Sequence, residues 1–481
     1  MITSHAMPSA AELLPLLPEL VMIGGAFALL MADLFIGVRH KVWTHFLSVL
    51  VLAVVLAMLA AGSGGQGEVF NGMFVRDTAA DVMKIAIVAM SGLTLVYGWS
   101  YLRERNLYKG EVPVLVLFAT SGMMMLVSAG SLVTVYLGLE LLALCSYALV
   151  AVDRDNGKAT EAAMKYIVLG SLASGLLLYG MSLVYGATGT LQLGAINAAM
   201  AQSDERVLLL TGVVFMVAGV AFKLGAAPFH MWLPDVYHGA PTSVTLFIGT
   251  APKIAYFALA LRLLAEGLQG AVAEWSQMLA ALAVLTLVVG NVVAIVQSNL
   301  KRMLAYSTIS NVGFIVLGFV AGTPEGYSAA LYYTLVYVLM SLGTFGVILL
   351  ASRKGFEADE LDHYKGLHAR DPMLAFVMMV LMFSTAGIPP FVGFWAKLRI
   401  IQELWATSHP WLILIAIVMS VVGAFYYLRV VKLMYFDPPG ELPATERNTG
   451  ARVALGLNAA AVVLLGLLPG PLLDLCARLL H

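Results

Sequence analysis

Uninterrupted apolar windows of roughly 17 to 25 residues recur from one end of this chain to the other, each long enough to cross a hydrocarbon core of about 30 Å. About fourteen can be placed, centred near residues 25, 51, 89, 120, 141, 173, 217, 253, 285, 311, 338, 387, 420 and 461. In a bilayer every backbone polar group must be satisfied within the protein, so windows of this length predict helices. The fold class is an all-α polytopic membrane protein, a single transmembrane domain over residues 1–481. Composition agrees, with 60% hydrophobic and 11% charged residues and a mean hydropathy of +0.90, far from the soluble range. The longest polar connections, residues 353–371 and 436–450, are too short to bury a core of their own.

Charge and cysteine content exclude several functions. The formal net charge is -1, with no basic arm or acidic tail, so nucleic acid is not an expected partner. Cys145 and Cys476 lie far apart with no CxxC or zinc spacing. The nine histidines show no tight ligand spacing, so no metal site is expected. The start, MITSHAMPSAAELLPLLPEL, lacks a basic n-region and reads as a retained first span. Connections after odd-numbered spans carry Arg39 and Lys41, Arg103, Arg105 and Lys109, Arg154 and Lys158, Lys301 and Arg302, Arg353, Lys354, Lys365 and Arg370, and Lys432, Arg447 and Arg452. Those after even spans hold little beyond Arg76, Arg206 and Arg262. The positive-inside rule then puts the odd-span exits in the cytoplasm and both termini on the outer side.

The seventh and twelfth windows are too long for one straight span. Val207 to His238 would extend about 48 Å as an unbroken helix, and Gly225 and Pro228 interrupt it. Pro372 to Gln402 is similarly long and holds STAGIPPFVGF, with Gly387, Pro389 and Pro390 at the break. These discontinuous spans sit five apart. If spans four to eight and nine to thirteen are repeats, their odd length inverts the second, and paired broken helices in inverted repeats point to an ion pathway near the midplane.

An ionisable side chain at mid-bilayer depth costs about 2.5 to 3.5 kcal/mol and needs a partner, a cavity or a role. Glu140 in VTVYLGLELLALCSY, Lys223 in VAFKLGAAPFHMW, Lys253 in FIGTAPKIAYFAL and Lys397 in FVGFWAKLRI meet this description. Glu140 and Lys223 could form a fixed structural pair. Lys253 and Lys397 have no acidic residue in their own spans, and a lysine whose carboxylate neighbour approaches and retreats can load and release a proton. Lys165 is shallower and is equally compatible with snorkelling. His230, in the break, suits relay or hydrogen bonding, and His238 falls at the cytoplasmic edge. Asp81 and Lys84 read as a local pair. The abundant Tyr, Phe and Met read as packing or lipid-facing residues.

The segment FKLGAAPFHMWLPDVYHGAPTSVTLFIGTAPKIAYFAL, Phe222 to Leu259, resembles the proton-translocating antiporter-like subunit family of respiratory complex I and of multisubunit cation/proton antiporters. PFHMWLPD is shared across that superfamily, and DVYHGAP followed by APKIA is similar to the branch in bacterial NADH:quinone oxidoreductase. The likeness extends to LPEL, to NLKRMLAYSTISNVGF and to STAGIPPFVGFWAK. One sister branch has a glutamate at the position of Lys397, and His238 departs from a more usual Gln or Glu.

The resemblance implies fourteen transmembrane helices with two inverted five-helix repeats, over residues 112–265 and 273–435, with discontinuous seventh and twelfth helices. It implies proton translocation through Glu140, Lys223, Lys253 and Lys397, with Lys165 as the sixth-span lysine; His230 stays a further candidate from its place in the break. It also implies a place in the bacterial inner membrane beside other complex I subunits, including other antiporter-like ones. No cofactor is expected in this chain, since flavin and iron–sulfur clusters would reside in partner subunits. The alternative functions are a subunit of a cation/proton antiporter and a non-transporting scaffold.

Overall fold

The computed structural model describes residues 9, 12–37, 40–440, 443, 445 and 448–480; Arg39 and Arg447, counted above, lie outside them. Six helices come first: α1 (Leu17–Phe35), α2 (Val42–Ala60), α3 (Thr78–Glu104), α4 (Glu111–Val127), α5 (Leu132–Val150) and α6 (Gly157–Thr188). A short α7 (Leu193–Met200) leads to the broken seventh span, α8 (Arg206–Leu224) and α9 (Trp232–Gly239). The eighth span is α10 (Thr242–Ile248) and α11 (Ala251–Ala260), continued by π-helical turns over Leu261–Gly267. Next come α12 (Val272–Ile295), α13 (Leu300–Val320) and α14 (Pro324–Ala351), then α15 (Leu367–Arg370) in a connection. The broken twelfth span is α16 (Pro372–Ala386) with α17 (Val392–Ala406), followed by α18 (Pro410–Phe436), α19 (Thr449–Leu467) and the amphipathic α20 (Gly470–Leu480). Among the described residues, twelve segments are long and apolar enough to cross a membrane, and the two cases α4 and α16 with α17 bring the candidates to fourteen.

Local chemistry sets where these helices start and how closely they pack. Asp77, Ser131, Asn156, Asn299, Thr323 and Asp371 cap α3, α5, α6, α13, α14 and α16 by accepting a backbone N–H of the first turn. Small residues let antiparallel neighbours close up. A Cβ added at Gly122 would lie 2.8 Å from Gly138 O, joining α4 to α5, and one at Gly180 would lie 2.8 Å from Gly212 O, joining α6 to α8.

The chain alternates between two faces, as the apolar windows predict. On the Lys/Arg-rich face Arg105 donates to Glu357 (2.7 Å), Lys301 to Ala240 O (2.7 Å) and Asn299 to Asp359 (2.9 Å). On the opposite face an antiparallel hairpin, β1 (Gly67–Val69) and β2 (Phe74–Arg76), bridges to Ala129, and Arg262 donates to Asp77 (2.7 Å).

The seventh and twelfth spans break where Gly and Pro interrupt them. Gly225 and Gly387 adopt left-handed φ values of 89° and 87°. The following residues turn back, Ala226 N to Ala221 O (2.8 Å) and Ile388 N to Phe383 O (3.0 Å), which closes each half-helix with a glycine C-cap. Two features differ from the sequence reading. The eighth span is also interrupted, at Gly249 and Thr250, where Pro252 brings no N–H to the first turn of α11; the Lys253 N–H turns to Thr250 O (2.9 Å), and Ser341 Oγ donates to Gly249 O at 3.2 Å in its place. The expected Asp81–Lys84 pair gives way to two tertiary pairs, Lys84 with Glu19 of α1 (2.5 Å) and Asp81 with Arg76 (2.7 Å). Lys84 is fully buried between helices, so its ammonium takes the carboxylate that the neighbouring helix presents.

Candidate functional site

The two central lysines occupy equivalent seats. Lys253 on α11, 1% exposed, donates from Nζ to Leu224 O at 2.9 Å. Lys397 on α17 donates to Ala386 O at 2.9 Å and to Ser420 Oγ of α18 at 2.9 Å. Leu224 and Ala386 are the last residues before the left-handed Gly225 and Gly387. Each ammonium therefore lies on the carbonyl end of a half-helix, where the unpaired C=O groups carry partial negative charge. Gly387 keeps its seat open, since a Cβ there would lie 2.9 Å from Lys397 Cδ, and a Cβ at Gly225 would lie 2.6 Å from Leu233 Cδ1. The seat is filled by a lysine of the eighth span in one case and by the second half of the broken span itself in the other. Aromatic faces complete both, with Trp232 centred 5.7 Å from Lys253 Nζ and Phe314 5.3 Å from Lys397 Nζ.

Lys223, in the last turn of α8 and 3% exposed, donates to Ser174 Oγ of α6 at 3.1 Å. The direct pair with Glu140 that would have made these charges structural is not formed. Glu140 Oε1 is buried with no hydrogen-bond partner. Lys223 thus rests on a neutral hydroxyl, and the Glu140 carboxylate is not bonded to it.

Buried hydroxyl and amide groups lie between the eighth span and the Lys397 seat. Ser341, bonded to Gly249 O, lines a cavity of about 20 Å³ with Ser307, Thr308, Tyr337, Thr344 and Thr385. That volume holds about one water molecule. Thr385 adjoins Ala386, the seat of Lys397. Tyr337 donates to Thr308 (2.7 Å), Tyr333 donates to Asn311 (2.8 Å), and the Ser307 and Tyr427 hydroxyls lie 2.6 Å apart. The sequence reading treated these tyrosines as packing residues. Their signal lay in NLKRMLAYSTISNVGF, where Ser307, Thr308 and Asn311 fall at helical spacing inside an apolar span.

The remaining candidates lie outside this axis. Lys165 is 43% exposed at its side chain and pairs with Asp235 and Glu161, each at 2.8 Å. His230 sits half-buried in the break with Nδ1 unpartnered. His238 lines a cavity of about 210 Å³ on the Lys/Arg-rich face with Arg105, Lys158, Lys301, Glu357 and Asp359, in line with its reading as a solvated edge residue. Among the described residues no group of three or more His, Cys, Asp or Glu side chains could hold a metal ion.

Comparison with known proteins extends these observations. A family described as "NADH:quinone oxidoreductase/Mrp antiporter, TM" matches residues 129–423. The NADH-quinone oxidoreductase subunit N of Xanthomonas euvesicatoria is 62% identical, covering 98% of this chain and 97% of that protein. The subunit N of Thiobacillus denitrificans is 52% identical over 98% of each. Among solved structures, a chain of respiratory complex I from Thermus thermophilus superposes with a TM-score of 0.83 at 32% identity, covering 96% of this chain and 99% of that one. A chain of the Mrp complex from Dietzia shares the fold, with a TM-score of 0.85 at 21% identity over 98% of this chain and 97% of its own.

Proposed function

The chain belongs to the NADH-quinone oxidoreductase subunit N family, within the NADH:quinone oxidoreductase/Mrp antiporter membrane proteins, and from that premise we propose that its buried lysines carry the protons this subunit translocates. Redox chemistry, with its flavin and iron–sulfur clusters, takes place in partner subunits, and this chain converts it into proton movement across the bacterial inner membrane, with both termini on the outer side. Residues 112–265 and 273–435 act as the two inverted repeats.

The observation that carries this reading is the pair of lysine seats, Lys253 on Leu224 O and Lys397 on Ala386 O, both at 2.9 Å. Burial penalises a charged lysine, while the half-helix end and the carbonyl favour it. Because the two effects oppose each other, a small displacement of Nζ from its carbonyl tips the balance between holding and releasing a proton. Lys223 answers to Glu140 in the same way: approach of the carboxylate favours the ammonium, and retreat leaves it on Ser174 alone. The hydroxyl network from Ser341 to Thr385 supplies a lateral route between the two seats. Lys165 serves at the edge of this system and His230 in the break.

Lys253→Ala and Lys397→Ala test the reading. Both complexes are expected to assemble on native gels and to lose NADH-driven proton uptake in inverted vesicles. Wild-type uptake in either assembled complex would overturn it.

A further inference from the structure

The second half of the broken seventh span, α9, has no helical continuity with α8, so its placement depends on side-chain contacts. One carboxylate supplies two of them. Asp235 Oδ2 accepts from Lys165 Nζ of α6 at 2.8 Å, and Oδ1 accepts from Arg302 of α13 at 2.8 Å. Glu161, one turn before Lys165, offers that lysine a second carboxylate at 2.8 Å. One residue beyond Lys165, Tyr166 stacks on Trp232 with centroids 4.8 Å apart and planes at 10°. The α6 helix therefore grips α9 at Trp232 and at Asp235, three residues on, while α13 holds Asp235 from the other side.

Trp232 connects this grip to Lys253. It is 1% exposed, donates its indole N–H to Phe222 O at 3.0 Å, and centres its ring 5.7 Å from Lys253 Nζ. A ring face at that range attracts a cation through its quadrupole. Moving α9 moves the ring, and with it a large part of the ammonium's surroundings. The ion pairs themselves add little stability, because Asp235 and Arg302 side chains are each 30% exposed and Lys165 43%, and partly solvated pairs are weak. Their consequence is placement.

We infer that Asp235 is a positioning residue for the proton step at Lys253: its double ion pair with Lys165 and Arg302 fixes α9 and so holds Trp232 against the ammonium. The inference rests on the proton-carrier reading of Lys253. It explains a lysine on α6 that lies outside the buried axis, and it ties a helix of the first repeat to one of the second through a single side chain.

The test uses the assembled complex in inverted vesicles, with native gels and thermal inactivation midpoints recorded for each variant. Asp235→Asn and Trp232→Phe are each expected to lower NADH-driven proton uptake roughly fivefold. The double variant should lose no more than the worse single one, because both changes act through one contact. Asp235→Glu should restore most of the uptake, with midpoints unchanged throughout. If Asp235→Asn does not assemble, Arg302→Gln combined with Trp232→Phe makes the same comparison. Wild-type uptake in Asp235→Asn, losses that multiply in the double variant, or losses that track a lowered midpoint would overturn the inference. Wild-type uptake in Lys253→Ala would instead overturn the carrier reading on which it rests.

Discussion

Removing one hydroxyl, Ser420→Ala, probes the Lys397 seat with little disturbance to packing. The ammonium has two acceptors, Ala386 O and Ser420 Oγ, both at 2.9 Å. A hydrogen bond to a charged group contributes about 1.5 to 3 kcal/mol. Since each 1.4 kcal/mol is tenfold, the seated ammonium is weakened by a factor of about ten to a hundred. If the proton passes through Lys397, uptake driven by NADH should fall roughly tenfold or more in an assembled complex. Ser420→Thr keeps the hydroxyl and should recover most of the rate. The assay is the initial rate of fluorescence quenching of a pH-sensitive dye in inverted vesicles, normalised to complex content on native gels. An assembled Ser420→Ala complex with the wild-type initial rate would refute the reasoning.

Further perturbations separate the other elements. Lys223→Ala and Lys223→Arg should both assemble and both lower proton uptake, because a guanidinium keeps its proton where a lysine exchanges it; near wild-type uptake with arginine would make Lys223 a structural cation. Glu19→Gln leaves the fully buried Lys84 without its carboxylate, which costs about 3 to 5 kcal/mol; a lower thermal inactivation midpoint is expected, recovered in part by adding Lys84→Met. A cysteine replacing the exposed Lys354 should resist membrane-impermeant thiol reagents in intact cells and react in inverted vesicles, and the reverse pattern would invert the topology. Gly366 in the same connection is unsuitable, since its φ is 61° and an added Cβ would lie 2.5 Å from Pro439.

The spans and the two expected breaks were legible because their signals are local. Window length, Gly225 with Pro228, and Gly387 with Pro389 and Pro390 are all read within one segment. The interruption of the eighth span was written just as plainly, in Gly249 and Pro252, yet those residues sit in a run of ordinary length and raise no suspicion. The lysines stood out as charges in apolar windows. Their seats did not, because Leu224 O and Ala386 O are backbone atoms to which any residue type contributes. Ser174 and Ser420 were hidden for a related reason: each sits on a different helix from the lysine it serves. Asp81 and Lys84 show the opposite failure, where sequence proximity suggested a pair and tertiary packing brought Glu19 and Arg76 instead.

The central claim is that Lys253 works by exchanging its proton at the end of a half-helix, and Lys253→Arg tests it most directly. Arginine keeps a positive charge on this span and removes the ability to deprotonate, while Lys253→Ala removes both, so native gels and thermal inactivation midpoints for each variant separate the loss of exchange from the bulk of the planar guanidinium. Proton uptake by inverted vesicles carrying the assembled Lys253→Arg complex should fall as far as with Lys253→Ala. Uptake close to the wild-type rate would show that a fixed cation suffices at this position, and would contradict the account.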